Sequence, residues 1–141
     1  MYPPPTLTEQ NLRNLPSQKG RIFIVTGGNS GISYELCKLL YQTGAKIYTA
    51  TRSKEKAFKA IEAIKASVPP SMPVGTLEFL HLQLDDLSTI RTSADAFKAK
   101  ESRLDVLWNN AGLSRPPPGT VSKQGHGIMM ATNFLGPYIF T

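Results

Sequence analysis

Cysteine is nearly absent. Cys37 is the only one in 141 residues, so no internal disulfide can form. It falls on the inward side of a helical pattern, which marks it as a buried core thiol. No apolar run reaches the roughly 18 residues that a membrane-spanning helix needs. The opening decapeptide MYPPPTLTEQ has neither the basic nor the apolar block of a secretory signal. These absences together lead us to expect a reducing, cytoplasmic setting. Acid is scarce as well: ten Asp+Glu against sixteen Lys+Arg leave a net charge of +6. No zinc-ligand spacing, basic run of nuclear-signal density or aromatic–glycine RNA-binding signature accompanies that excess, so neither a metal nor a nucleic-acid partner is expected. What remains is 40% hydrophobic and 18% charged, the make-up of one globular domain long enough to bury a core.

The chain is organised around Arg21 to Leu40, RIFIVTGGNSGISYELCKLL. Ile22 to Val25 form a short apolar, β-branched-rich run, the mark of a strand buried on both faces. Gly27, Gly28 and Gly31 follow, and then Ile32, Leu36, Leu39 and Leu40 recur at helical spacing. A strand, a glycine turn and a helix in that order suit a phosphate. Glycines let the backbone approach it, and a new helix offers free N–H groups and the positive end of its dipole. The spacing, Thr26-Gly27-x-x-x-Gly31-x-Ser33, resembles the TGxxxGxG turn of the short-chain dehydrogenase/reductase family. Ser33 departs from it, standing where the family has its third glycine. Overpacking at that contact is expected to cost roughly 1–3 kcal/mol if nothing relaxes.

Residues 1–19 read as an extended arm, with Pro3, Pro4 and Pro5, one helical turn capped by Thr8, and a turn at Pro16. The domain proper is expected over 20–141. Gly44 ends the first helix, and a second strand spans Ala45 to Thr51. Ser53 caps a second helix with Phe58, Ile61 and Ile64 inward. After the proline-rich VPPSMPVG, Leu77 to Leu84 alternates as a third strand. Asp85, Asp86 or Ser88 caps the helix that follows, with Leu87, Ile90, Ala94 and Phe97 facing inward. A fourth strand, LDVLW, ends in Asn109-Asn110-Ala111-Gly112, which matches the second signature of the same family. Gly125 to Thr141 resembles the family's fifth-helix segment, weakened by Gly125 and Gly127 and obliged to kink or break at Pro137. The stripe Met129, Met130, Phe134 reads as core or as an interface, leaving association of like chains open. His126 reads as a surface or packing residue.

The resemblance implies an α/β fold of three layers. It is a Rossmann-type parallel sheet in the order 3-2-1-4 with right-handed crossovers, an incomplete doubly wound fold. It also implies a dinucleotide site. Thr26, Gly27, Asn29, Ser30, Gly31 and Ile32 would surround the pyrophosphate, and Asn110, Ala111 and Gly112 the nicotinamide-side ribose. Gln83 stands where relatives place an aspartate near the adenine; Asp85, of the same strand parity, is the alternative after a shift. The second strand ends in Arg52 with Lys56 following, and no acid holds the position that would favour a free 2′-hydroxyl. NADP is therefore the expected cofactor. Asn133 matches the asparagine that kinks the fifth helix and holds a water of the proton relay. In relatives a serine and a Tyr-x-x-x-Lys pair lie beyond the stretch matched here. Tyr34 and Lys38 have that spacing but sit directly after the glycine turn and read as a decoy. The expectation is thus the cofactor-binding portion of a truncated enzyme that moves hydride between NADP and a small carbonyl or alcohol. The alternative is a remnant that binds dinucleotide without turning over.

Overall fold

The computed structural model describes residues 16–72 and 74–141, so the Thr8-capped turn lies outside the described residues. Four strands form one parallel sheet in the order β3-β2-β1-β4. They are β1 (Ile22–Thr26), β2 (Lys46–Thr51), β3 (Thr76–His81) and β4 (Val106–Trp108). Helices α1 (Gly31–Tyr41), α2 (Lys54–Ala66) and α3 (Leu87–Lys98) connect them. Alternation along the strands sends side chains into two cores. Phe23, Val25 and Ile47 join Cys37 and Tyr41 of α1 and Ile61 and Ile64 of α2 on one face. Ile24, Tyr48 and Leu80 join Ile90 and Phe97 of α3 on the other. The result is the three-layer arrangement expected from the sequence. Full burial of each large aliphatic contributes about 1.5–3 kcal/mol.

The two faces are finished differently. On the first, burial pushes the Cys37 thiol up to about 12, which leaves it an inert core side chain. On the second, Tyr48 meets Phe97 edge-on at 5.1 Å and donates its hydroxyl hydrogen to Glu101, which also takes Lys46. That hydrogen bonding satisfies the polar tip of a fully buried tyrosine and pins the segment after α3 to the start of β2.

Besides β4, which starts at Val106 rather than Leu104, two boundaries differ from the sequence reading. β3 stops at His81 rather than Leu84 because its partner β2 stops at Thr51, the residue paired with His81. One further bond, Leu82 N–H to the Thr51 carbonyl at 3.2 Å, closes the ladder. The last helical segment begins only at Ile128, as α4 (Ile128–Met130), widens into a π-helical stretch (Ala131–Leu135) and resumes as α5 (Gly136–Phe140). Pro137 sits in the first turn of α5 and has no N–H for the Asn133 carbonyl four residues back, so the chain passes it with one wide turn rather than a break. Met129, Met130 and Phe134 are exposed on this segment, which removes the core reading of that stripe.

Asp86 settles the capping question for α3: its buried carboxylate accepts from the Ser88 N–H and hydroxyl. It also takes Lys123 and Gln124 at 2.9 Å each, docking the 121–127 loop on the helix start. Hydrogen bonds from Ser88, then Lys123 and Gln124, hold this carboxyl well below its ordinary value of 3.8. A depressed carboxyl contributes stability that is present above the unfolded-state pKa and lost as pH falls through the folded one. Asp86→Asn is accordingly expected to lower the urea midpoint at pH 7, with the deficit shrinking as the pH drops below about 4. A deficit independent of pH would contradict this.

Candidate functional site

The loops at the carboxyl ends of the strands open into one crevice of about 420 Å³. This is where open parallel sheets bind ligands. The β1–α1 turn contributes Gly27, Asn29 and Ser30, the first turn of α1 Ile32 and Ser33, the end of β2 Arg52, and the first turn of α2 Lys56. Leu82, Leu84 and Asp85 come from the end of β3, Asn110, Ala111 and Gly112 from the end of β4, and Thr132 from the π-helical stretch.

The helix that starts at this crevice is left open. Ser53 caps α2 by accepting from Lys56 N–H, and Asp86 caps α3. Ser30, at the corresponding position of α1, makes no capping bond, and the first turn of α1 holds no acid. Uncapped N–H groups and an uncompensated dipole therefore face the crevice. Gly27 and Gly31 make the approach possible with φ of +73° and +56°. A Cβ on Gly31 would meet nothing within 4 Å, so the space beyond it is free for a ligand. Ile32, 79% exposed at the rim, presents an aliphatic surface with no protein cover. Thr132, in the crevice wall, keeps a buried hydroxyl with no hydrogen-bond partner among the described residues. A glycine cradle, an open helix start, a cationic pair and an unpaired hydroxyl together fit a phosphorylated nucleotide.

The crevice floor is held by Thr26. Its hydroxyl donates to the Trp108 carbonyl at 3.1 Å and accepts from the N–H groups of Asn110 and Ala111 at 2.9 and 2.8 Å. Ser33 completes the brace, donating to the Thr26 carbonyl at 2.9 Å and accepting from Asn110 Nδ2 at 2.8 Å. The expected overpacking is thus corrected: the Ser33 hydroxymethyl, 3% exposed, fills its space with two hydrogen bonds and leaves the turn open. Close packing of the turn falls to Gly28, where a Cβ would lie 2.9 Å from Cys37 Sγ and from Thr49 Cγ2 of β2, and to Gly27, where one would lie 3.2 Å from Ala111 Cα past the end of β4.

Of the residues singled out by sequence, Gly27, Asn29, Ser30, Ile32, Arg52, Lys56, Asn110, Ala111 and Gly112 are brought together at the crevice. Thr26 lies beneath it, buried, with its hydroxyl fully engaged by the strand ends. Gly31 contributes open backbone rather than a wall. Gln83 is not among the lining side chains. β3 has already ended, and buried Leu82 and Leu84 present the wall with Asp85, the alternative the strand parity offered. Asn133 sits on the π-helical stretch and clasps Leu113, accepting from its N–H and donating to its carbonyl at 2.9 Å each. That clasp reaches the end of the Asn110–Gly112 loop from below. Tyr34 and Lys38 lie outside the lining, on α1. Sequence reasoning missed Thr132, whose only signal was its place beside Asn133. Among the described residues no cluster of metal-binding side chains occurs, and no helix is long and apolar enough to cross a membrane.

Comparison with known proteins agrees with this geometry. The sequence profile of the short chain dehydrogenase family matches residues 21–141. The chain is 51% identical to a short-chain dehydrogenase/reductase, iacJ, of Pestalotiopsis fici over 99% of its length, and 45% identical to another, pkfC, of Emericella nidulans over 98%. It spans 43% of each of those two proteins. Among solved structures it is similar to the RhlG/NADP active-site complex of Pseudomonas aeruginosa, with 27% identity and a TM-score of 0.70, covering 88% of this chain and 46% of that one. It is equally similar, at 27% identity and a TM-score of 0.70, to a metagenomic short-chain oxidoreductase in complex with NADP, covering 86% of this chain and 53% of that one.

Proposed function

The chain belongs to the short-chain dehydrogenase family of oxidoreductases, and from that premise we propose that it is the NADP(H)-binding part of an enzyme acting on a small carbonyl or alcohol. One observation carries the reading: the uncapped start of α1 opens on the same crevice as Arg52 and Lys56. The first suits the diphosphate, and the two cations suit a further phosphate on the adenosine ribose. The NADP complexes among similar structures support the same choice. When bound, the cofactor supplies or accepts a hydride at its nicotinamide ring. This chain's residues would hold it: Gly27 to Ile32 at the diphosphate, Arg52 and Lys56 at the 2′-phosphate, and Asn110 to Gly112 at the far ribose. Asn133 keeps the Asn110–Gly112 loop in place through Leu113 and, by its family role, would order a water of the proton path.

The crevice as described has no tyrosine–lysine pair to move the substrate proton. Fluorescence or calorimetric titration is expected to show saturable NADP(H) binding, tighter than NAD(H). Carbonyl reduction with NADPH is expected to stay at background. A folded chain that ignores NADP(H) would overturn the cofactor reading. A reduction rate abolished by Arg52→Asp but not by Tyr34→Phe would overturn the expectation of silence.

A further inference from the structure

We propose that Asp85 sets how strongly the crevice prefers a phosphorylated ribose, by competing with the phosphate for Arg52; the inference rests on the NADP(H) reading above. Arg52 Nη1 lies 3.4 Å from Asp85 Oδ2, and both residues line the crevice, one at the end of β2 and the other past the end of β3. The ion pair therefore bridges two strand ends across the place where the adenosine side of a dinucleotide would enter. Among the described residues that line the crevice, Asp85 is the one carboxylate, and the charged groups beside it there are Arg52 and Lys56. Lys123, the other cation nearby, is spent on Asp86. Asp85 also stands on a fixed backbone, since its carbonyl accepts from Lys123 N–H and the next residue is the buried cap of α3.

The two partners are unequally placed. The Asp85 side chain is 24% exposed, against 72% for Arg52. The single contact at 3.4 Å leaves unused the parallel fork with which a guanidinium grips a carboxylate or phosphate. A ribose phosphate offers that fork a better partner and twice the charge, so it displaces the carboxylate. The displaced carboxylate then remains beside a dianion and opposes it. For an exposed pair the combined penalty is about fivefold in affinity, equivalent to about 1 kcal/mol at 1.4 kcal/mol per tenfold. A cofactor with a free 2′-hydroxyl has no such contest for Arg52. Asp85 thus tempers the preference for NADP(H) without being needed to hold it.

Kd values for NADP(H) and NAD(H) would be measured by calorimetry at low salt on four proteins: the wild-type chain, Asp85→Asn, Arg52→Gln and the double variant, each confirmed folded by circular dichroism. Asp85→Asn is expected to tighten NADP(H) binding and raise the NADP(H)-to-NAD(H) preference about fivefold. The same change in the Arg52→Gln background is expected to shift that preference by only about twofold, because the competition has gone and only the direct repulsion of the dianion remains. If the wild-type chain binds NADP(H) but Asp85→Asn leaves the preference unchanged or lowers it, Asp85 has no competing role and only this proposal falls. An equal gain in both backgrounds would also overturn it, by showing plain repulsion without competition. If the wild-type chain does not bind NADP(H), the cofactor reading fails first and takes this inference with it.

Discussion

Thr26→Val is expected to remove about 3 kcal/mol of folding stability, a cost out of proportion to one hydroxyl. Valine matches the shape of threonine, so packing at this buried position is hardly altered. The hydroxyl, however, serves three backbone groups at once: the Trp108 carbonyl and the N–H groups of Asn110 and Ala111. Removing it leaves two N–H donors pointing at a methyl group, each costing about 1–3 kcal/mol when the site excludes water. A domain stabilised by a total of about 5–15 kcal/mol feels such a loss strongly. Urea melts should show the deficit, with Thr26→Ser keeping most of the wild-type midpoint because the hydroxyl survives. The fraction of Thr26→Val that folds should also bind NADP(H) more weakly, since Asn110 to Gly112 line the crevice. A Thr26→Val protein as stable as wild type would mean that water, rather than the hydroxyl, satisfies those groups.

That clasp shows why some of the site was legible in the sequence and some was not. The strand–turn–helix from Ile22 to Leu40 could be read because three local signals coincide: an apolar run, positive-φ glycines and a helical repeat. The sheet order followed from the alternation of strand and helix together with the resemblance. Ser53 as the cap of α2 was equally local. The misread positions depended on partners distant in the chain. Ser33 looked like an intrusion because its two hydrogen-bond partners, Thr26 and the remote Asn110, are invisible to a local reading. Gln83, placed near the adenine by resemblance, falls outside the crevice lining because β3 stops at His81, an end set by β2, which runs alongside but is coded thirty residues earlier. The π-helical turn at Asn133 was legible only as a conflict, since Pro137 forbids an ordinary helix there without saying how the chain would resolve it. The contact of Arg52 with Asp85 links two strand ends and could not be read from either one alone.

Arg52→Asp is the second large effect, and it should reverse rather than merely weaken the choice of cofactor. The substitution removes the guanidinium best placed for a ribose phosphate and puts a carboxylate at the end of β2, the arrangement that accepts a hydrogen bond from a free 2′-hydroxyl. It also leaves two acids, the new one and Asp85, at the crevice, with Lys56 the cation left among the described lining residues to offset them. A charge-assisted hydrogen bond contributes about 1.5–3 kcal/mol, and the added repulsion works in the same direction. NADP(H) binding is therefore expected to weaken by roughly a hundredfold, while NAD(H) holds its affinity or gains. Because Arg52 is largely exposed and has no packing role, thermal stability should stay close to wild type, which separates a binding defect from a folding one. Raising the salt concentration should narrow the NADP(H) gap between the two proteins, since the lost attraction is screened in the wild type and the new repulsion is screened in the variant. An Arg52→Asp protein that kept the wild-type preference would move the phosphate contact to Lys56 and leave Arg52 with nothing but its surface pair to Asp85.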